Sequence, residues 1–398
     1  MKSEVKRDDI PSSRRAQLSD RLREETTGGI LLIFAAITAI VWANSPFAES
    51  YVSLTSAEFG FTNFSMPLKV WAADFLLAIF FFVIGIELKN EFVAGSLSSV
   101  RRAIVPFAAA FGGMFVAAII FLMFNHGTDI AKAWGIPIST DIAFALAILA
   151  IAGKSMPDPL RLFLLTLAVV NDLGAILVIA VFYGHGFELT SFLVATALVA
   201  VFAILQRTGI RSVAIHLPIA LACWYFTYES GIHATVAGVA LGLSMRVTER
   251  PDEHHAPGDH AEHVLRPISA GLCVPLFALM SAGVSLEGVH IGEMLNNSLT
   301  LGVLFGLVIG QPLGVVMGTF IGSRFTERRL PAGLNWADVV VVGTLASIGF
   351  TVALLVSEVS FAEQPEILAV AKFALVLTSF ASIASAVTAM KLRKRLFS

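Results

Sequence analysis

Charge is what this chain has least of. Only 14% of its 398 residues are Asp, Glu, Lys or Arg, while 56% are apolar and the mean hydropathy is +0.80. Soluble domains run at about 25% charged, so a soluble globular domain is excluded. Cysteine is nearly absent. Cys223 and Cys273 both fall inside apolar runs, too few for a disulfide framework and without metal-ligand spacing. Neither sign of charge is in excess: the net charge is −2, which excludes a nucleic-acid partner. A cleavable leader is also missing. Arg14-Arg15 follows Ser12-Ser13, but Asp20, Glu24 and Glu25 come next and no small-residue cleavage site follows. Residues 1–26 therefore read as a cytoplasmic tail.

What the chain has in abundance is apolar length. Twelve segments approach or exceed the roughly 20 residues needed to span a bilayer. They are 27–44, 69–94, 103–124, 130–152, 159–183, 187–206, 212–228, 232–247, 267–285, 298–322, 335–357 and 366–390. The expectation is an all-α membrane protein with one transmembrane domain over 27–390 and a basic tail over 391–398. With the N-terminus inside, every Lys and Arg of the 27 except Lys69, Lys132 and Lys372 falls on the inner side. That asymmetry places both termini in the cytoplasm. Trp42, Trp71 and Trp134 fall near outer span ends, as interface anchors do.

Two polar stretches stand apart. Residues 51–67 alternate apolar and polar around Gly60, which reads as an external β-hairpin whose edge could pair with a second copy of the chain. A plain surface loop is the alternative. Residues 247–266 read as a cytoplasmic loop, with His254, His255, His260 and His263 among Asp252, Glu253, Asp259 and Glu262. A solvated, pH-responsive loop explains this composition better than a metal site.

Two acids sit where hydrocarbon should be. Asp141 lies in Gly135-Ile-Pro-Ile-Ser-Thr-Asp-Ile-Ala-Phe-Ala-Leu146 and Asp172 in Asn171-Asp-Leu-Gly-Ala-Ile176, with no basic residue beside either. An ionised carboxylate at mid-bilayer costs about 2.5–3.5 kcal/mol even on the gentlest insertion scale, and such residues mark ion pathways by default. A hydrogen bond to a neighbouring helix is the plainer explanation. A buried repeat surrounds the first acid: Gly135-Ile-Pro-Ile-Ser139 and Gly343-Thr-Leu-Ala-Ser347 align at one offset, which Ala145-Leu146 and Ala353-Leu354 continue. The two segments belong to spans of opposite direction, the mark of an inverted-topology repeat with interrupted helices. Gly135 and Pro137 should break the first helix, and Gly343 and Gly349, after Ser347, should loosen the second. Asp141 would then offset the positive ends of the half-helices.

At these residues the chain resembles the NhaA family of Na+/H+ antiporters. The likeness runs through almost the whole chain after residue 26. Besides the stretches above, it rests on Gly85-Ile-Glu-Leu-Lys-Asn-Glu91, Ser230-Gly-Ile-His-Ala-Thr235, Glu262-His-Val-Leu265, Pro275-Leu-Phe-Ala278, Ala282-Gly-Val-Ser-Leu286 and Ser347-Ile-Gly-Phe-Thr351. The resemblance implies twelve helices, two of them interrupted and crossing at mid-membrane. It implies exchange of cytoplasmic Na+ or Li+ for external H+ across a bacterial inner membrane, with no cofactor. By position, Asp172 is the principal cation and proton site, with Thr140, Asp141 and Asn171 around it. Glu87, Glu91, Glu262 and His263 match a cytoplasmic pH-response cluster, and His233 a histidine linked to the pH profile. Three departures stand out. Many members carry Asp-Asp where this chain has Asn171-Asp172, and a core lysine where it has Gln311. Asn90 stands where a basic residue is common, and Arg266 where a second histidine can occur.

The rival classes fare worse. An intramembrane aspartyl protease needs Gly-x-Gly-Asp in a span, and Gly258-Asp259 lies in a polar stretch. A serine protease is hinted at by Gly242-Leu-Ser-Met245, without the second glycine. An organic-anion symporter should carry basic residues in mid-span. A channel fits interrupted, crossing helices poorly.

Overall fold

The computed structural model describes residues 25–397, apart from 62–63, 154, 185, 252, 254, 286–290, 327–329 and 331–332. Most of the expected cytoplasmic tail, residues 1–24, lies outside that set, as do Lys154, Asp252, His254 and Leu286. Every apolar segment becomes a helix or a bent pair, because backbone N–H and C=O groups in lipid must be satisfied within the segment. The order is α1 (Glu25–Ala43), α2 (Ala48–Ser56), β1 (Glu58–Phe61), β2 (Phe64–Pro67), α3 (Leu68–Val93) and α4 (Val100–Asn125). A first interrupted span follows: short turns at Asp129–Ala133 and Ile136–Ile138, then α5 (Ile142–Ala152). Next come α6 (Asp158–Phe182), α7 (Leu189–Thr208), α8 (Val213–Glu229), α9 (Thr235–Ser244), α10 (Pro257–Ser281) and α11 (Ile291–Asn296). The chain closes with α12 (Ser298–Arg324), a second interrupted span made of α13 (Trp336–Ala346) and α14 (Thr351–Ser360), and α15 (Pro365–Phe397). Seven of these helices are long and apolar enough to cross a membrane alone, and three bent pairs pass the same test together.

Three expectations change. Residues 51–56 are not hairpin: they end α2, which meets α1 at 116°. The hairpin is only 58–67, antiparallel, with Glu58 opposite Pro67 and Phe61 opposite Phe64. Tyr51 explains the helix, since its hydroxyl donates to Leu279 O at 2.9 Å and accepts from Gly283 N at 3.0 Å, pinning α2 to the end of α10. The stretch 247–266 is not loop throughout, because α10 begins at Pro257, a residue suited to the first turn of a helix. The basic end 391–398 is not a separate tail but the last turns of α15, to Phe397.

Two glycine seams join neighbouring helices backbone to backbone. A Cβ on Gly318 would lie 1.9 Å from Ala108 O, and one on Gly314 2.1 Å from Gly112 O, so α12 and α4 touch directly. On the other side, a Cβ on Gly238 would lie 2.2 Å from Ala78 O and one on Gly242 2.3 Å from Phe82 O, joining α9 to α3. Small residues at such contacts are how membrane helices pack closely without a hydrophobic driving force.

Candidate functional site

The two interrupted spans meet at their breaks. Ser139, Thr140 and Asp141 leave helical geometry in one, Ile348, Gly349 and Phe350 in the other. Hydrogen bonds join the two broken segments directly. Asp141 N–H donates to Ile348 O at 2.7 Å, and Thr140 Oγ1 donates to Ala346 O at 2.7 Å. Gly349 is required by this approach: a Cβ there would lie 2.4 Å from Ser139 O. Ser382 Oγ on α15 donates to Ser347 O at 3.0 Å. Gly135 lies in the break between the two short turns, whereas Gly343 stays inside α13 and does not break it. Gly135 makes room for the Tyr183 hydroxyl, which accepts its N–H at 2.9 Å, and Gly343 packs against Pro312. Pro137 sits in the short turn just before the break. We expect Gly349→Ala to cost about 1–3 kcal/mol through overpacking; a shift of the detergent thermal-unfolding midpoint checks it, and an unchanged midpoint would count against the close approach.

Asp141 caps both half-helices. Its Oδ1 accepts from Phe144 N at 3.1 Å, at the start of α5. Its Oδ2 accepts from Thr351 N at 3.2 Å and Thr351 Oγ1 at 2.9 Å, at the start of α14. One carboxylate thus offsets two positive helix ends, each worth about 0.3–2 kcal/mol.

Asp172 differs. It is 2% exposed, and its Oδ1 has no hydrogen-bond partner among the described residues. Next to it, Asn171 Nδ2 donates to Thr140 Oγ1 at 2.8 Å, which ties α6 to the first break and leaves Asn171 Oδ1 without a partner. Gln311 does not bond Asn171. Its Nε2 donates to Ile138 O at 2.9 Å, satisfying a carbonyl left free where the first half-helix ends. Ser139 Oγ and Gln311 Oε1 are likewise buried without partners. The crossing therefore gathers several buried oxygen atoms without hydrogen-bond partners among the described residues, the donor type a small hard cation takes.

A second cluster lies where α3 ends beside α10. Glu87 Oε1 pairs with Arg266 at 2.7 Å, and Arg266 reaches Glu262 at 3.4 Å. Asn90 Nδ2 bridges Asp259 at 3.2 Å and Glu262 at 3.3 Å. Glu87 and Glu262 thus share one guanidinium. Glu91 lies one turn beyond Glu87, and His263 follows Glu262 on an exposed face of α10. Sequence reasoning missed Asp74. It is 8% exposed inside α3, and its Oδ1 lies 3.3 Å from His233 Nε2. His233 Nδ1 lies 3.1 Å from Thr235 Oγ1. Asp74 stands one turn inside its span, so its depth was masked by nearness to the outer end; its partner is far along the chain.

The comparisons with known proteins agree with this geometry. The family described as Na+/H+ antiporter 1 matches residues 19–391. The chain belongs to that family. It is 48% identical over 383 residues to Na(+)/H(+) antiporter NhaA 3 of Streptomyces coelicolor, spanning 95% of this chain and 81% of that one. It is 45% identical over 395 residues to Na(+)/H(+) antiporter NhaA of Frankia casuarinae, spanning 97% and 89%. Among solved structures, the sodium proton antiporter MjNhaP1 of Methanocaldococcus jannaschii shares the fold at a TM-score of 0.50 and 13% identity, over 91% of this chain and 90% of that one. Family members are transporters, so this chain is a multi-pass bacterial membrane transporter and not an enzyme.

Proposed function

We propose that this Na+/H+ antiporter 1 family member exports cytoplasmic Na+, or Li+, in exchange for external H+ by alternating access at Asp172. The observation that carries the reading is the free Oδ1 of a buried carboxylate beside two crossed helix breaks. A carboxylate removed from water is poorly solvated when charged. Na+ and H+ then compete for one group, and either of them neutralises it. Only the neutralised site passes easily from one face to the other, which is obligatory exchange without covalent chemistry. Thr140, Asn171 and the carbonyls of the breaks supply further oxygens. The organic-anion reading finds no support, since Asn171 and Gln311 keep the crossing free of basic side chains. Proteoliposomes test the proposal: a Na+ or Li+ pulse should release lumenal protons, and K+ should not.

The membrane is the bacterial inner membrane, with both termini cytoplasmic, as the distribution of Lys and Arg supports. The 58–67 hairpin offers an edge for a homodimer. The cluster of Glu87, Glu91, Glu262, His263 and Asn90 lies at the cytoplasmic end, and Arg266 dominates it. A guanidinium stays charged at every physiological pH, so the cation shared by Glu87 and Glu262 does not titrate. Arg266→His puts a titrating group between them, and activity should become steeper in pH between about 6 and 8. Overlapping activity–pH curves for the two proteins would remove this cluster from regulation.

A further inference from the structure

One ion pair at the far end of the bundle has no part in the site above. Glu358 lies near the end of α14, and its Oε1 is 2.7 Å from Lys372 Nζ on α15, with side chains 16% and 12% exposed. Thr351, which binds Asp141, is seven residues earlier on the same helix. Seven residues are two turns and about 10 Å, and they return to the same face. Glu358 therefore stands on the same face of α14 as Thr351, two turns nearer the helix end, with the fully buried Leu354 and Leu355 between them.

A second pair shows what a bracing contact looks like in this fold. At the opposite end, Asp338 joins α13 to α15 through Arg393 at 2.8 Å, is 0% exposed, and accepts from Asn335 N at 3.0 Å in a capping box. Both of its oxygens are committed. Among the described residues, Glu358 is held by Lys372 alone. Lysine is a point charge on a flexible four-carbon stem, able to withdraw, unlike a fixed guanidinium fork. A buried ion pair is a poor device for stability, because its desolvation offsets its attraction. The turn from α14 to α15 carries one more buried oxygen without a hydrogen-bond partner among the described residues, Gln364 Oε1.

We propose that Glu358 is a second station for the transported cation, between the helix crossing and the outer face, with the Lys372 ammonium filling it when Na+ is absent. The proposal rests on the Na+/H+ reading. The exported cation displaces Lys372 on reaching the station from the crossing and is displaced by it on leaving for the outer face, so Na+ does not linger on the outer route.

Sidedness tests it. 22Na+ counterflow in proteoliposomes of defined orientation gives an apparent KM at each face. Glu358→Gln should raise the KM at the outer face about tenfold and leave the cytoplasmic KM within about twofold. Lys372→Met should lower the outer KM, since the competitor is gone. The double variant Glu358→Gln with Lys372→Met has no unpaired charge to destabilise it, and it should share the raised outer KM; it carries the test if a single variant does not fold. Equal changes at both faces, or none, would overturn the station. Wild-type protein without Na+ counterflow would instead overturn the Na+ reading itself.

Discussion

Asp172→Asn is expected to abolish Na+-dependent proton movement, a loss of more than about a hundredfold, while the protein still inserts and folds. Asparagine keeps the shape and one oxygen but cannot bind a proton reversibly or neutralise a cation. Because Asp172 Oδ1 holds no hydrogen bond, the substitution breaks no contact at that atom. The detergent unfolding midpoint should therefore stay near that of the wild type. Asp141→Asn should do the opposite. Asp141 is engaged by Phe144 N, Thr351 N and Thr351 Oγ1, so an amide there loses an acceptor at one of two helix ends. Losing a charge-assisted hydrogen bond costs about 1.5–3 kcal/mol. That variant should be less stable yet retain measurable exchange. Substantial exchange by Asp172→Asn, with none by Asp141→Asn, would reverse the two assignments.

Exchange should also be blind to membrane voltage. A core holding a second titratable group beside Asp172 can move two protons per Na+ and so transfer net charge. Here the neighbouring places are Asn171 and Gln311, and neither titrates. Both are already engaged as donors, to Thr140 and to Ile138 O. Asp141 remains the rival second site, but both of its oxygens are already engaged by three N–H and O–H donors at the half-helix ends. One proton for one Na+ is therefore the expectation. Each net charge moved would gain about 2.3 kcal/mol per 100 mV, close to a fifty-fold gradient, so the two outcomes are far apart. Proteoliposomes clamped with valinomycin and K+, without a pH gradient, separate them. Sodium efflux driven by the potential alone would falsify electroneutral exchange. Asn171→Asp together with Gln311→Lys tests the cause, and the pair must be made together because each new charge needs the other.

The spans and the crossing were legible because each has a local signature. Hydropathy marks a span within about 20 residues, and Pro137, Gly349 and the repeated Gly-x-x-x-Ser mark the breaks. Asp172 and Asp141 stand out because long apolar runs flank them and no basic residue lies beside either. What could not be read is what depends on distant partners. Arg266 between Glu87 and Glu262, His233 against Asp74, and Lys372 against Glu358 are made by helices meeting in space. Composition also misled. The start of α10 is polar because it is partly exposed, and polarity was taken for loop. The end of α2 was taken for strand because its alternation is short and its anchor, Tyr51, binds carbonyls more than two hundred residues away.

The glycine seams make two rigid pairs in the bundle. Where Gly314 and Gly318 meet Gly112 and Ala108, and where Gly238 and Gly242 meet Ala78 and Phe82, backbone lies on backbone, and a bulkier residue on either side would collide. Each pair behaves as one thick beam: a sideways force on α12 is carried straight to α4, and one on α9 straight to α3, with no soft side-chain layer between to absorb it.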